Sequence, residues 1–162
     1  KREEVPKLAL GLTYDYNVNA SRQRGNTGSF LGQTRTLSTI FADMMFKYKG
    51  FSVMAEYAIK SSDGSSVFID ETDSLEYNFV TGSALNIQAG YLLPSDWELA
   101  ARFTSVTPEY ILEQDDVSMY TVGISKYIDG HNLKVQSDFS IIREGEMEES
   151  YLARLQFELS FN

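Results

Sequence analysis

Cysteine is absent and histidine occurs once in the 162 residues. Without thiols there is no disulfide framework and no thiolate metal site, and one imidazole leaves only carboxylates to hold a cation. Long apolar runs are missing too. None reaches the roughly 18–20 residues that a membrane-crossing helix needs, and mean hydropathy is slightly negative. Base is short against acid: 14 Lys and Arg stand against 23 Asp and Glu, for a net charge of −9. That argues against nucleic acid as a partner, because phosphate binding wants a basic patch. Gly25 and Gly28 have no Lys-Ser/Thr after them, so no phosphate-cradling loop is present. No initiating Met or signal peptide opens the chain; Lys1-Arg2-Glu3-Glu4 reads as the interior or matured start of a longer product.

What the chain has is alternation. In Tyr151–Asn162, Tyr151, Ala153, Leu155, Phe157, Leu159 and Phe161 fall on one side, and Arg154, Gln156, Glu158 and Ser160 on the other. Side chains alternate across a strand, so one face is oily and the other charged. The pattern predicts eight strands, at about 7–19, 36–49, 51–62, 80–93, 97–106, 117–128, 132–142 and 151–162. The oily rows include Leu8, Leu10, Leu12, Tyr14 and Tyr16 in the first, and Ile40, Ala42, Met44, Phe46 and Tyr48 in the second. The opposite rows collect Asp15, Asp43, Lys47, Glu56, Lys60, Glu98, Arg102, Lys134, Asp138, Arg154 and Glu158. The sixth strand fits least well, since Lys126 lands on the oily side near its end; its stem can carry the ammonium back to a headgroup region. Ten Tyr, ten Phe and one Trp suffice for two interfacial girdles. These features predict one all-β domain over 1–162, an antiparallel up-and-down transmembrane β-barrel.

The connections alternate in length. Lys49-Gly50, Leu93-Pro94-Ser95-Asp96 and Ile128-Asp129-Gly130-His131 are short, and 20–35, 63–79, 107–116 and 143–150 are long. Outer-membrane barrels pair short periplasmic turns with longer outside loops, so a final strand running inward puts every long connection outside. The outside loops carry much of the acid: Asp63, Asp70, Glu71, Asp73 and Glu76, then Glu109, Glu113, Asp115 and Asp116, then Glu144, Glu146, Glu148 and Glu149. The first loop instead holds Arg22, Arg24 and Arg35.

Four stretches resemble the C-terminal half of the phosphate-selective porin family (porin O and P type) of Gram-negative outer membranes. Ala42–Tyr57 resembles its hairpin of a KY-G turn followed by an AEY strand. Gln88–Pro94 with Trp97–Phe103 resembles its AGYFL-P turn and ELAARY strand. Thr121–Ile128 with Gly130–Gln136 resembles its GxxYxxxGHxLKxQ hairpin, and Arg154–Phe161 its closing strand, with Asn162 a departure after the Phe. The resemblance runs from about Leu8 to the end. It implies a 16-stranded porin, usually trimeric, of which this chain is half. It implies passage of small hydrophilic solutes or ions, phosphate and other anions among them, with membrane lipid and lipopolysaccharide around the barrel. The basic residues that give that family its anion selectivity cannot be matched to positions here.

The charged rows admit two readings. One is a pore wall whose transverse field sorts solutes by charge; the other is a paired polar plug filling a complete eight-stranded barrel, which would serve as an anchor or adhesion surface. Arg22, Arg24 and Arg35 read as an anion funnel, as an inward constriction loop, or as ordinary solvated charges. The acidic loops read as solvated charge or as sites for cations bridging lipopolysaccharide. His131 sits in a predicted periplasmic turn, away from any nucleophile a hydrolase would need; neither catalysis, nor a cofactor, nor a metal site is expected. A soluble lipocalin-type barrel is the rival fold, but eight strands cannot enclose that many Tyr, Phe and Leu side chains.

Overall fold

The computed structural model describes residues 2–69, 76–109, 112–129 and 132–160. Asp70, Glu71, Asp73, Gly130, His131, Phe161 and Asn162 lie outside the described residues. The strands are β1 (Lys7–Arg22), β2 (Phe30–Tyr48), β3 (Phe51–Ser62), β4 (Val67–Ile69), β5 (Glu76–Asn78), β6 (Gly82–Leu92), β7 (Trp97–Pro108), β8 (Val117–Asp129), β9 (Leu133–Glu144) and β10 (Ser150–Leu159). Among the described residues there is no α-helix.

Eight strands form one antiparallel sheet in the order β1-β2-β3-β6-β7-β8-β9-β10, while β4 and β5 pair only with each other. Each sheet neighbour is therefore the next long strand in the chain, an up-and-down meander. The turn between β2 and β3 shows why register is tight. Lys49 and Gly50 both have positive φ, 47° and 87°, the pairing a two-residue type I′ hairpin requires. It sets Tyr48 opposite Phe51, Phe46 opposite Val53 and Ile40 opposite Ile59. Because side chains alternate with period two, this register keeps the row Ile40, Ala42, Met44, Phe46, Tyr48 on the same side as the row Phe51, Val53, Ala55, Tyr57, Ile59.

The ladders carry that segregation across the whole sheet. Leu8 faces Phe46, Phe51 faces Tyr91, Ile87 faces Phe103, Leu99 faces Ile124, Val122 faces Phe139 and Phe139 faces Ala153. Phe103 and Tyr120 bring their rings to 4.9 Å. Among the described residues nothing packs over this face: Leu12 is 79% exposed, Val122 61% and Leu155 65%. Lys126 turns its ammonium back along the strand, donating to Ser95 O at 2.7 Å over the Trp97 ring.

Two edges stay open among the described residues, since β1 pairs only with β2 and β10 only with β9. The closed apolar core is small and lies at the long-loop end. There Phe79, Leu31, Leu37, Ala20 and Phe68 bury one another, with Tyr77 against them. The β4–β5 hairpin supplies Phe68 and Tyr77, whose rings stack at 6.1 Å.

The strand positions agree with the alternation except at this end. β2 begins at Phe30 rather than near 36, and 67–69 with 76–78 form a hairpin inside what reads as loop. The β1–β2 ladder is irregular there, shifting between Asn17 and Ala20 and again before Arg22. Asn19 takes a left-handed φ of 55° at that break, a conformation that one class of β-bulge uses.

Candidate functional site

All eleven charged positions singled out above stand on one face. Asp43 is opposite Glu56, Lys60 opposite Thr39, Arg102 opposite Gln88 and Thr121, Arg154 opposite Asp138, and Lys134 opposite Glu158 and Tyr127. Clefts that each bridge several strands lie on that face and mark it as the concave side.

Over β7 to β10 the charges are largely paired. Arg154 Nε donates to Asp138 Oδ1 at 2.9 Å, and Lys134 Nζ lies 3.1 Å from Glu158. Tyr127 donates its hydroxyl to Glu98 at 2.5 Å. Each is a contact between neighbouring strands, so pairing follows directly from register. These groups, with Arg102 and Gln88, line a polar cleft of about 350 Å³. Arg102 makes no ion pair among the described residues, and its Nε is buried without a partner.

Over β1 to β3 the pattern differs. Asp15 and Lys60 line a larger cavity of about 650 Å³ that also touches Phe41 and Val106. Lys60 Nζ donates to the Arg24 carbonyl at 2.8 Å. Asp43 and Glu56 line an adjoining cavity of about 430 Å³ that shares Phe41, Ala58, Ala84 and Val106 with the larger one. Lys47, Glu98 and Tyr127 are among the residues that line a further cleft toward the short-turn end.

Of the three arginines read as first-loop residues, Arg22 ends β1, Arg35 lies within β2 and Arg24 alone stands in the loop. Arg22 donates to Gly28 O at 3.0 Å and closes its own loop, its guanidinium over the Phe30 ring. Arg35 lies over Phe68 and reaches Ser65 O at 3.4 Å, tying β2 to the β4–β5 hairpin. Arg24 alone lines the concave side, in the cavity that holds Asp15 and Lys60. The loop between β1 and β2 turns inward around it. Asn17 Nδ2 donates to Asn26 Oδ1 at 3.2 Å, and Val80 N donates to Gln23 O at 2.7 Å.

A hydroxyl and carboxylate knot ties the outer loops together, which composition alone could not signal. Ser66 and Thr81 are buried and both donate to Glu109 Oε2, at 2.5 Å each. These bonds hold the Glu109 carboxyl below the usual glutamate range, Ser66 first and Thr81 second. The hydrogen bond from Arg143 likewise lowers Glu149. Among the described residues no three His, Cys, Asp or Glu side chains gather as a metal site.

No family model, curated protein or solved structure matches this chain.

Proposed function

We propose that the chain is part of the wall of an outer-membrane porin, a β-barrel that lets small hydrophilic solutes or ions diffuse across the outer membrane of a Gram-negative bacterium. One observation carries the reading: an apolar face spans all eight sheet strands and is left uncovered, while ionised side chains line the opposite, concave face. In water such a face of Leu, Tyr and Phe, continuous across eight strands, demands a cover. Acyl chains supply one without any further protein surface. The two unpaired edges fit further strands of the same alternation, as in the 16-stranded barrel that the resemblance implies, and the homotrimer belongs to that same reading. Size exclusion and the field of the concave face then select solutes. The near balance of charge over β7 to β10 argues against strong anion selectivity from this half.

Planar-bilayer recording tests it. Discrete conductance steps with a measurable reversal potential are expected. A folded, lipid-inserted protein that gives no steps would overturn the pore and favour the anchor or adhesion reading. The buried loop core at the long-loop end lends that second reading its support. Unboiled and boiled samples should also migrate differently on a detergent gel, and identical migration would count against any closed barrel.

A further inference from the structure

One band of the concave face is not polar. Phe41, Ala58, Ala84 and Val106 are successive register partners across β2, β3, β6 and β7. They make an apolar row four strands wide inside a charged wall. Phe41 is 46% exposed and Val106 49%, so no side chain covers the row.

The adjacent row, toward the short turns, runs Asp43, Glu56, Asn86, Thr104 in the same register. Two carboxylates thus stand directly opposite each other on an antiparallel ladder, where like charges repel. Among the described residues no Lys or Arg lines the cavity with them, and Lys60 and Arg24 stand on the far side of the apolar row. Asp43 makes no hydrogen bond or ion pair among the described residues. Glu56 is met by Asn86 Nδ2 at 2.8 Å, which leaves Asn86 Oδ1 buried and without a partner. Gly11 stands opposite Asp43 and makes room for it, for a Cβ there would collide with the carboxylate. The two rows together line the cavity of about 430 Å³, and no Lys or Arg is among its lining residues.

We propose that this cavity binds small organic cations with an apolar body, of the phenylalkylammonium class. The body lies along Phe41, Ala58, Ala84 and Val106, and the ammonium sits at Asp43 and Glu56. The volume falls within the 300–1,000 Å³ span typical of small-molecule sites. Binding relieves the mutual repulsion of the carboxylates and gives the ammonium two charge-assisted acceptors. A bare metal ion gains nothing from the apolar row, and an anion meets two like charges. The inference rests on the concave face being open to water, which is the part of the porin reading it shares.

The test is equilibrium dialysis of phenethylammonium against the folded chain in detergent micelles, with phenylacetate as the probe of equal body and opposite charge. Phenethylammonium should bind and phenylacetate should not. Asp43→Asn with Glu56→Gln should weaken the amine about tenfold or more, and Phe41→Ala about threefold. Circular dichroism checks the fold of each variant, and Asp43→Asn alone replaces the double variant should that fail to fold. Equal binding of both probes, or amine binding unchanged by the carboxylate substitutions, would overturn the proposal. Conductance separates the two readings. Binding without conductance sinks the pore and keeps the site; conductance without amine binding does the reverse.

Discussion

Val122 is the sixth of the thirteen residues of β8 and stands 61% exposed, between Ala101 on β7 and Phe139 on β9. With about 3.4 Å per residue and a tilt of about 40°, thirteen residues rise about 34 Å. Val122 then lies within about 3 Å of mid-height. Val122→Arg removes no packing and opens no cavity, so its cost depends on what bathes the face. In water an exposed substitution of this kind stays within about ±0.5 kcal/mol. At a bilayer midplane an outward arginine costs about 2–4 kcal/mol. The gap exceeds tenfold in the folding equilibrium. Urea unfolding of the chain reconstituted in phospholipid vesicles reads it directly. Ser125→Arg is the control, because Ser125 lies on the same strand but lines the polar cleft; it should stay within about ±0.5 kcal/mol. If Val122→Arg proves as harmless as Ser125→Arg, the apolar face meets water and the membrane reading falls.

Leu155→Arg on β10 makes the same point at an edge, and about 2–4 kcal/mol is expected if further strands hold that edge in lipid; neutrality there alone would mean that β10 is solvated. Phe79→Ala empties the middle of the loop core, where the side chain is fully buried, at a local cost of about 3–5 kcal/mol. Hydrogen exchange at Val80 and nearby amides should accelerate while β8 and β9 keep their protection; unchanged exchange at Val80 would refute the core. Glu109 gives an acid sensitivity. Its carboxyl is held below its ordinary value of 4.5 by Ser66 and Thr81, so the loop contact is fully stabilising above that pH and fades as pH falls through the lower folded value. Protease cleavage within 63–69 or 76–81 should therefore rise only in strong acid. Glu109→Gln should lose the pH dependence, and wild-type cleavage that stays flat until the sheet itself unfolds in acid would refute the link.

The faces of the sheet were legible because alternation is a property of single strands, and each long strand repeats it often enough to read. The Asp43–Glu56 opposition was legible in principle. A two-residue turn at Lys49-Gly50 fixes every partner of β2 on β3. The apolar row escaped because each strand gives it only one residue, and Phe41 or Val106 alone looks like an exception in a polar row. Its continuity exists only between strands. The hairpin at Val67–Ile69 and Glu76–Asn78 was illegible for another reason, since three residues are too few to show a period. The start of β2 is hidden in Phe30-Leu31-Gly32-Gln33-Thr34, where alternation fails and an irregular ladder does the pairing. The ion pairs Arg154–Asp138 and Lys134–Glu158 needed the register of β9 on β10, and the loop between those strands carries no turn signal strong enough to set it.

The exposure of the concave face also bears on how wide a barrel this sheet can belong to. Strands about 4.8 Å apart, tilted about 40°, close at a radius near 8 Å for eight and near 16 Å for sixteen. In the narrow case side chains fill the interior. Phe41 and Val106 would then be buried, and Asp43 and Glu56 would face each other in a dry space with no basic residue lining their cavity. Uncompensated buried charge costs several kcal/mol per ion, too much for a chain to carry beside so small a closed core. A wide, wetted arc avoids that cost, because water solvates both carboxylates until a cation replaces it. The same opposed pair that suggests a ligand site therefore argues against the filled eight-stranded plug, and it does so from charges whose positions one two-residue turn determines.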